Sequence, residues 1–454
     1  MAPLTDSSVK SATRAQPVPT PERLDRPFAD PLVGRLFPAL PTGVHWGLER
    51  TERALASLGD PHLSYVTVHV GGTNGKGSVT STVASVLTRS GHRTGGYTSP
   101  HLISFRERML VDGTALSDAD LTAYADDVRA AVLGYGLTFF EAVTVLAMHA
   151  FREKGVEIAV LEVGLGGRLD STNVIRPEVT AVTNVAMDHA DYLGETLEQI
   201  AREKGGIIKT GVPFVTAEAD PAIRAVLQDI ARERGAPFVA VAAPDPTLVE
   251  VESDHTSLVA TSERWGSLHL RTPLVGLHQA SNAVLAVAVL EQLGDRWRPN
   301  EVEIVEGIAG VRYHGRDEVK ILEGRTWLFD VAHNTAGILS LVDTIDRLDL
   351  PRPLVGLIGV LGDKDWQRML PPILSRMDAA FLTQPPSAPV ERRWNPVEAA
   401  DVVDALTVVR VVEDFLEALE RARARAGSGT VVVTGSVHTV GSAMSVLGLD
   451  PLET

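Results

Sequence analysis

Not one of the 454 residues is a cysteine. Disulfides, thiolate nucleophiles and zinc–thiolate sites are excluded, and a reducing compartment fits, so the expected location is the cytoplasm. No apolar run approaches the roughly 18 residues that signal a membrane span, so no membrane partner is expected. Positive charge is in deficit: the formal net charge is −16, which argues against nucleic acid as a partner. It also means that an anionic ligand must be held by local dipoles, individual lysines and arginines, or metal ions. The first 30 residues place Lys10, Arg14, Arg23 and Arg26 among Pro, Ser and Thr, without the apolar segment of a secretory signal. Residues 1–35 are therefore expected to be a disordered tail. What is present, 44% hydrophobic and 22% charged residues, describes a soluble globular protein. The length calls for two or three domains. No internal repeat is evident.

The chain is organised around Val66-Thr-Val-His-Val70 followed by Gly71-Gly-Thr-Asn-Gly-Lys-Gly-Ser78. A β-branched run ends in a glycine-rich turn, and Val79, Val83, Val86 and Leu87 then recur at helical spacing. Strand, loop and helix in that order place backbone N–H groups and a helix dipole where phosphates bind. Lys76 would reach the outer phosphates and a hydroxyl would meet magnesium. The spacing departs from the standard phosphate loop: three residues separate Gly71 from Gly75, and Gly77 stands between Lys76 and Ser78. Three glycines around Asn74 and Lys76 favour this reading over a flexible turn with a chance lysine.

Around that unit the pattern is α/β. A helix is expected over about 40–60, with Trp46, Leu48, Leu55 and Leu58, stopping at Gly59-Asp-Pro61. Ser117 caps a helix to about Leu133, and Thr138-Phe-Phe-Glu141 opens another. Glu157–Val163 reads as a buried parallel strand, yet it carries Glu162 at its carboxyl end. Open α/β sheets bind ligands at that end, and a buried carboxylate calls for a cation. Val179–Val185 is the next strand and leads into Asp188-His189; Thr196 then opens a helix bearing Lys204. By itself Lys204 reads as a surface charge. Residues 212–272 are expected to alternate short strands and helices, and a helix runs from about Gly276 to Leu293. Charge, proline and a change of pattern put the interdomain link at Asp295–Pro299. Strands at Thr326–Val331, Leu354–Val360, Ala379–Thr383, Thr407–Val411 and Val431–Gly435 alternate with helices beyond it, as in a second open sheet.

Gly-Thr-Asn-Gly-Lys-Gly-Ser resembles the ATP loop of the Mur ligase superfamily. Thr98-Ser-Pro-His-Leu102, Glu162-Val-Gly-Leu-Gly-Gly-Arg-Leu-Asp170 and Asp188-His189 resemble folylpolyglutamate and dihydrofolate synthases within it. Gly315-Arg316 and Asp330-Val-Ala-His-Asn334 extend the likeness, with His314 and Val331 where the family has proline and glycine. Gly362-Asp-Lys-Asp365 and Gly435-Ser-Val-His438 also resemble family loops and carry no assigned chemistry. The resemblance runs from about residue 43 to 445. It implies an N-terminal P-loop ATPase-like parallel-sheet domain over 36–298 and a C-terminal Rossmann-like α/β domain over 299–454. It also implies that Thr73, Asn74, Gly75, Lys76, Gly77 and Ser78 bind ATP, with Asn282 at the adenine end, Arg316 at phosphate, Asp330 at ribose and His333 in the same cleft. Ser99 and Glu162 would hold one magnesium, and His189 with a carbamylated Lys204 a second. Phe140 and Asp170 would contact the pterin substrate.

The implied reaction is ATP-dependent amide formation by a monomer. A folate or dihydropteroate carboxylate becomes an acyl phosphate, which the amine of L-glutamate then attacks, with Lys76, His189 and Lys204 as the catalytic groups. Two rivals stand beside it: a Mur-type cell-wall peptide ligase with another acceptor, and a nucleotide switch without ligase activity. The folate-type loops weigh against the first, and the paired His189 and Lys204 against the second.

Overall fold

The computed structural model describes residues 31–37, 40, 45–403 and 408–453. Eight strands form the first sheet: β1 (Val66–Gly71), β2 (Thr94–Tyr97), β3 (Met109–Val111), β4 (Thr114–Ala115), β5 (Ile158–Glu162), β6 (Val179–Val182), β7 (Phe214–Thr216) and β8 (Phe238–Ala240). Their order is β4-β3-β2-β5-β1-β6-β7-β8. The chain from β2 to β8 is parallel, and β3 and β4 add an antiparallel edge. Alternation along β5 explains why both faces are covered. Ile158 and Val160 join Val68 and Val70 under helices Lys76–Arg89 and Leu277–Glu291, whereas Ala159 and Leu161 face helix Phe139–Glu153. Fully burying one such Val or Leu stabilises the fold by roughly 1.5–3 kcal/mol.

Several boundaries differ from expectation. The first 30 residues of the expected tail lie outside the described residues. Its last five do not: Pro31–Leu36 is a helix whose Leu32 and Leu36 are buried in the core around Phe105 and Phe151. The helix expected over 40–60 is described only as Glu49–Ser57, and Trp46 before it is 41% exposed. The stretch from Glu250 is not alternating: β9 (Glu250–Val251), β10 (Thr256–Ser262) and β11 (Gly266–Thr272) form an antiparallel sheet. It packs on helix Leu277–Glu291, because only every second residue of β10 and β11 is apolar and inward.

The link moves as well. Helix Glu301–Ala309, capped by Asn300 with Glu303 reaching back to the Asn300 N–H at 2.8 Å, still belongs to the first body. Ile304 and Ile308 are buried with Val83 and Val86, so the chain leaves that body after Val311 and not at Asp295–Pro299.

The second sheet contains β12 (Glu318–Leu322), β13 (Arg325–Phe329), β14 (Leu354–Ile358), β15 (Ala379–Leu382), β16 (Val408–Val411) and β17 (Thr430–Thr434), in the order β12-β13-β17-β14-β15-β16. The five expected strands are parallel; four end one to two residues early, and β16 ends at Val411 as expected. Residue 407, the first of one expected strand, lies outside the described residues. β12 was not expected. It forms a tight hairpin with β13 through Glu323 and Gly324, both at positive φ (50° and 72°), as a two-residue turn requires.

Candidate active site

Register puts the site together. Val70 of β1 pairs with Glu162 of β5, and Gly71 with Val182 of β6, while β2 flanks β5. The carboxyl ends of four adjacent parallel strands therefore release Ser99, Glu162, the glycine loop and Thr183–His189 at one edge. In the second sheet β13, β14 and β17 are neighbours and release Asp330–Asn334, Leu361–Lys364 and Ser436–His438. The two edges face each other across a cleft.

The glycine loop has the geometry an anion needs. Gly75, at φ 82°, turns the chain into helix Lys76–Arg89, whose first turn carries no acidic residue. Thr73 N–H donates to Asn184 O at 2.9 Å and Asn74 N–H to Asn184 Oδ1 at 3.1 Å, which anchors the loop to the segment after β6. Lys76 Nζ donates to Thr73 O at 2.9 Å, so its ammonium lies over its own loop. Thr73 to Ser78 all line a cavity of about 210 Å³. Asn282 lies behind the loop: it is not in the cavity wall, but a Cβ on Gly75 would come within 2.5 Å of its Oδ1. His278 and Gln279, earlier on the same helix, line the cavity instead.

Glu162 is buried and accepts the Ser99 N–H at 2.9 Å. Burial raises its carboxyl above the usual value, and Lys76, the Ser99 N–H, Arg316 and Arg108 oppose that rise. A buried carboxylate beside a serine, at the mouth of a phosphate loop, fits a hard divalent cation.

Lys204 is not a surface charge. It is 4% exposed, donates to Gly72 O at 2.7 Å, and burial together with the nearby Lys76 charge lowers its ammonium to about 7, with Asp188 opposing. A neutral amine is the form that reacts with carbon dioxide, so this environment suits carbamylation. His189 sits in the left-handed region at φ 53° and is lowered to about 4 by burial, which leaves the neutral imidazole that binds metals. No cluster of three or more His, Asp or Glu suited to a metal occurs among the described residues. A second ion would thus depend on Lys204 supplying an oxygen donor.

Three contacts cross the cleft close to the phosphate loop and Asp188, and Leu102 and Ile103 pack on the core of the second body besides. Asn74 and Asn334 exchange amide hydrogen bonds of 3.2 and 3.0 Å. Asp188 accepts from Lys364 Nζ at 2.5 Å and from Asn334 at 3.1 Å, with His333 Nε2 3.4 Å away. Burial would raise the Asp188 carboxyl, but the His333 hydrogen bond and the charges of His333 and Lys364 hold it well below the usual carboxylate range. Lys364 Nζ is also 3.4 Å from His189 Nε2. The third contact is steric. The Tyr313 hydroxyl lies where a Cβ on Gly77 would be, within 2.0 Å, so only glycine allows the approach. Arg316 stacks on Tyr313 at 4.7 Å and donates to its hydroxyl at 3.2 Å.

A larger cavity of about 740 Å³ adjoins the first. Ser99, His189, Arg316 and His333 belong to the walls of both. Phe140 lines the larger one with its ring against Gly164. Asp170 lines it too, though its oxygens already accept from Leu165 N–H at 2.8 Å and from the Thr172 N–H and hydroxyl at 3.0 and 2.5 Å. Asp330 lines the smaller cavity and accepts from Ala332 N–H at 2.8 Å and Asp317 N–H at 3.0 Å. Sequence reasoning passed over Arg108, Lys364, Arg392 and His438, all in the wall of the larger cavity. Lys364 and His438 sat in loops that had been singled out, and their signal was a cation or imidazole just past a parallel strand.

Comparison with known proteins agrees with this layout. The Mur ligase middle domain matches residues 70–290, and the glutamate ligase domain of Mur ligases matches residues 315–437. Lacticaseibacillus casei folylpolyglutamate synthase is 33% identical over 432 residues, covering 90% of this chain and 96% of that one. The structure of Mycobacterium tuberculosis folylpolyglutamate synthase complexed with ADP superposes with a TM-score of 0.81 at 32% identity, covering 89% of this chain and 95% of that chain. The Escherichia coli FolC structure in complex with DHPP and ADP gives 0.80 at 31% identity, covering 94% and 98%.

Proposed function

The chain belongs to the folylpolyglutamate and dihydrofolate synthase family of Mur ligases, and from that premise we propose how its cleft joins L-glutamate to a folate or dihydropteroate carboxylate using ATP. The observation that carries the reading is the shared wall of the two cavities, one ending on the phosphate loop and the other roomy enough for a pterin. An acceptor carboxylate entering from the larger cavity meets the γ-phosphate at Ser99, His189, Arg316 and His333. Attack there forms an acyl phosphate and ADP; the glutamate amine then displaces phosphate and closes the amide.

The protein's task is positioning and charge neutralisation in a chain that is acidic overall. The loop N–H groups and Lys76 take the phosphates, and Lys76 must swing from Thr73 O to do so. Asn282 braces the loop from behind. Arg316 reaches the phosphates from the second domain, and Asp330 accepts from ribose. Phe140 and the Asp170 loop form the pterin wall, while Arg108, Lys364 and Arg392 give the larger cavity the positive charge that carboxylates need. Ser99 and Glu162 would hold one magnesium, and His189 with carbamylated Lys204 a second. Bound there, magnesium polarises the transferring phosphoryl oxygens.

An ADP-release assay with dihydropteroate and with tetrahydrofolate, each with and without L-glutamate, tests the reading. Sustained ADP release should need both an acceptor and glutamate. Release that ignores both would identify a plain ATPase or switch instead.

A further inference from the structure

Beside Asp330 stands a second carboxyl group that the reaction above does not use. Asp317 is fully buried, sits in the left-handed region at φ 47°, and belongs to the wall of the nucleotide cavity. Its N–H donates to Asp330 Oδ2 at 3.0 Å, and its Oδ2 accepts the Thr344 hydroxyl at 2.6 Å. The other oxygen, Oδ1, is buried and accepts from no donor among the described residues. The nearest imidazole, His278, keeps its Nδ1 3.9 Å from Oδ2, too far for a hydrogen bond. The Asp317 N–H contact sets the two residues side by side, and two buried carboxyl groups that close disfavour each other's ionisation. An acceptor oxygen without a donor stops being an orphan once it carries a proton, because it then donates.

We propose that Asp317 is a positioning residue of the nucleotide site: its carboxyl group donates a hydrogen bond to Asp330 and fixes the Asp330 carboxylate as the acceptor for a ribose hydroxyl. This rests on the reading of the smaller cavity as the ATP site. Burial and the neighbouring Asp330 charge raise the Asp317 carboxyl well above its usual value, in keeping with the shared proton. Thr344 occupies Oδ2, which leaves Oδ1 as the oxygen to carry the proton. The left-handed backbone suits Asp or Asn better than other side chains, and an Asn amide would offer the same donor.

The test uses the full-length enzyme and measures KM and kcat for ATP and for its 2′- and 3′-deoxy analogues. Asp317→Gly tolerates the backbone but has no donor; it should raise KM for ATP roughly tenfold, the share of one hydrogen bond, with the loss falling on KM more than on kcat. Against the analogue that lacks the contacted hydroxyl, the same variant should differ little from wild type. Asp317→Asn should restore most of what the glycine variant loses. An infrared difference spectrum should show a protonated-carboxyl stretch at neutral pH that Asp317→Asn lacks. Should the glycine variant fold poorly, Thr344→Val replaces it, with the same expected direction. A raised KM in Asp330→Ala with an unchanged KM in Asp317→Gly would overturn the proposal, as would an Asn variant as impaired as the glycine one, or a missing infrared band. An unchanged KM in Asp330→Ala would instead show that the ribose contact was misread, and this role would fall with it.

Discussion

Two lysines near the phosphate loop show how far burial alone can set chemistry. Lys76 is half-buried and hydrogen-bonded to its own loop, and in the proposed reaction its charge meets the γ-phosphate. Lys76→Ala should abolish turnover while leaving the thermal melt unchanged, since one transition-state charge contact is worth on the order of 3 kcal/mol or more; near-normal ligation would remove the loop from the mechanism. Lys204 is held at about 7 instead of 10.5 by burial and the Lys76 charge. Below pH 7 it is mostly protonated and closed to carbon dioxide; above, the free amine predominates. Carbamate occupancy, read by mass analysis under bicarbonate, should therefore climb as pH rises through 7, and activity should climb with it. An active preparation with only the free amine would take Lys204 out of the metal site. Lys76 was legible in the sequence because glycines punctuate its surroundings. Lys204 was not: nothing in Arg202-Glu-Lys-Gly205 says that the side chain turns inward to Gly72, 132 residues earlier.

Elements with a dense apolar run were legible from their own residues, as with Val66–Gly71, buried on both faces, and Phe139–Glu153, buried all round from Glu141 to Phe151. The expected link at Asp295–Pro299 puts residues 301–309 in the second domain, whereas helix Glu301–Ala309 packs on the first. A charged, proline-bearing turn precedes it, and its apolar stripe could have served either body. Only the fit decides: Gly307 lies so close to the Lys76–Arg89 helix that a Cβ would come within 2.5 Å of Val86 Cα. Gly307→Val should cost about 1–3 kcal/mol through overpacking and lower the melting temperature of the intact chain. Likewise, a fragment ending at residue 298 would lay bare Val83 and Val86, and should be less soluble and less stable than one ending at residue 312. Equal behaviour of the two fragments would return the boundary to Asp295–Pro299. The β12 hairpin was overlooked because Glu323-Gly324 is a turn whose positive φ values show only in the fold.

On the scale of the whole molecule, the cleft exists only while its two sheets stay in register with each other, and a buried ion pair is one of the contacts that span it. Asp188 and Lys364 are 176 residues apart, with side chains 8% and 6% exposed, so their pairing could not be read from either loop alone. Removing one partner leaves the other charge buried without compensation, at a cost of about 3–5 kcal/mol. For Lys364→Met the stranded charge is the Asp188 carboxylate, which keeps Asn334 at 3.1 Å and His333 at 3.4 Å but loses its closest cation. The strain is best relieved by opening the cleft, because rotation of the second body returns Asp188 to water and disturbs the second core only where Leu102 and Ile103 pack on it. The variant should therefore show a larger radius of gyration by small-angle scattering and a melt split into two transitions, along with lost ligation. The pH dependence has a definite sign. A carboxyl held below its usual 3.8 in the folded state contributes fully above that value and loses its contribution as pH falls toward the folded one. The intact chain should thus stay closed from neutrality down to about pH 4, with acid opening confined to lower pH. If Lys364→Met scatters and melts as the parent does, the pair is not the latch, and the Asn74–Asn334 amide exchange, the Tyr313–Gly77 contact and the packing of Leu102 and Ile103 on the second core hold the domains without it.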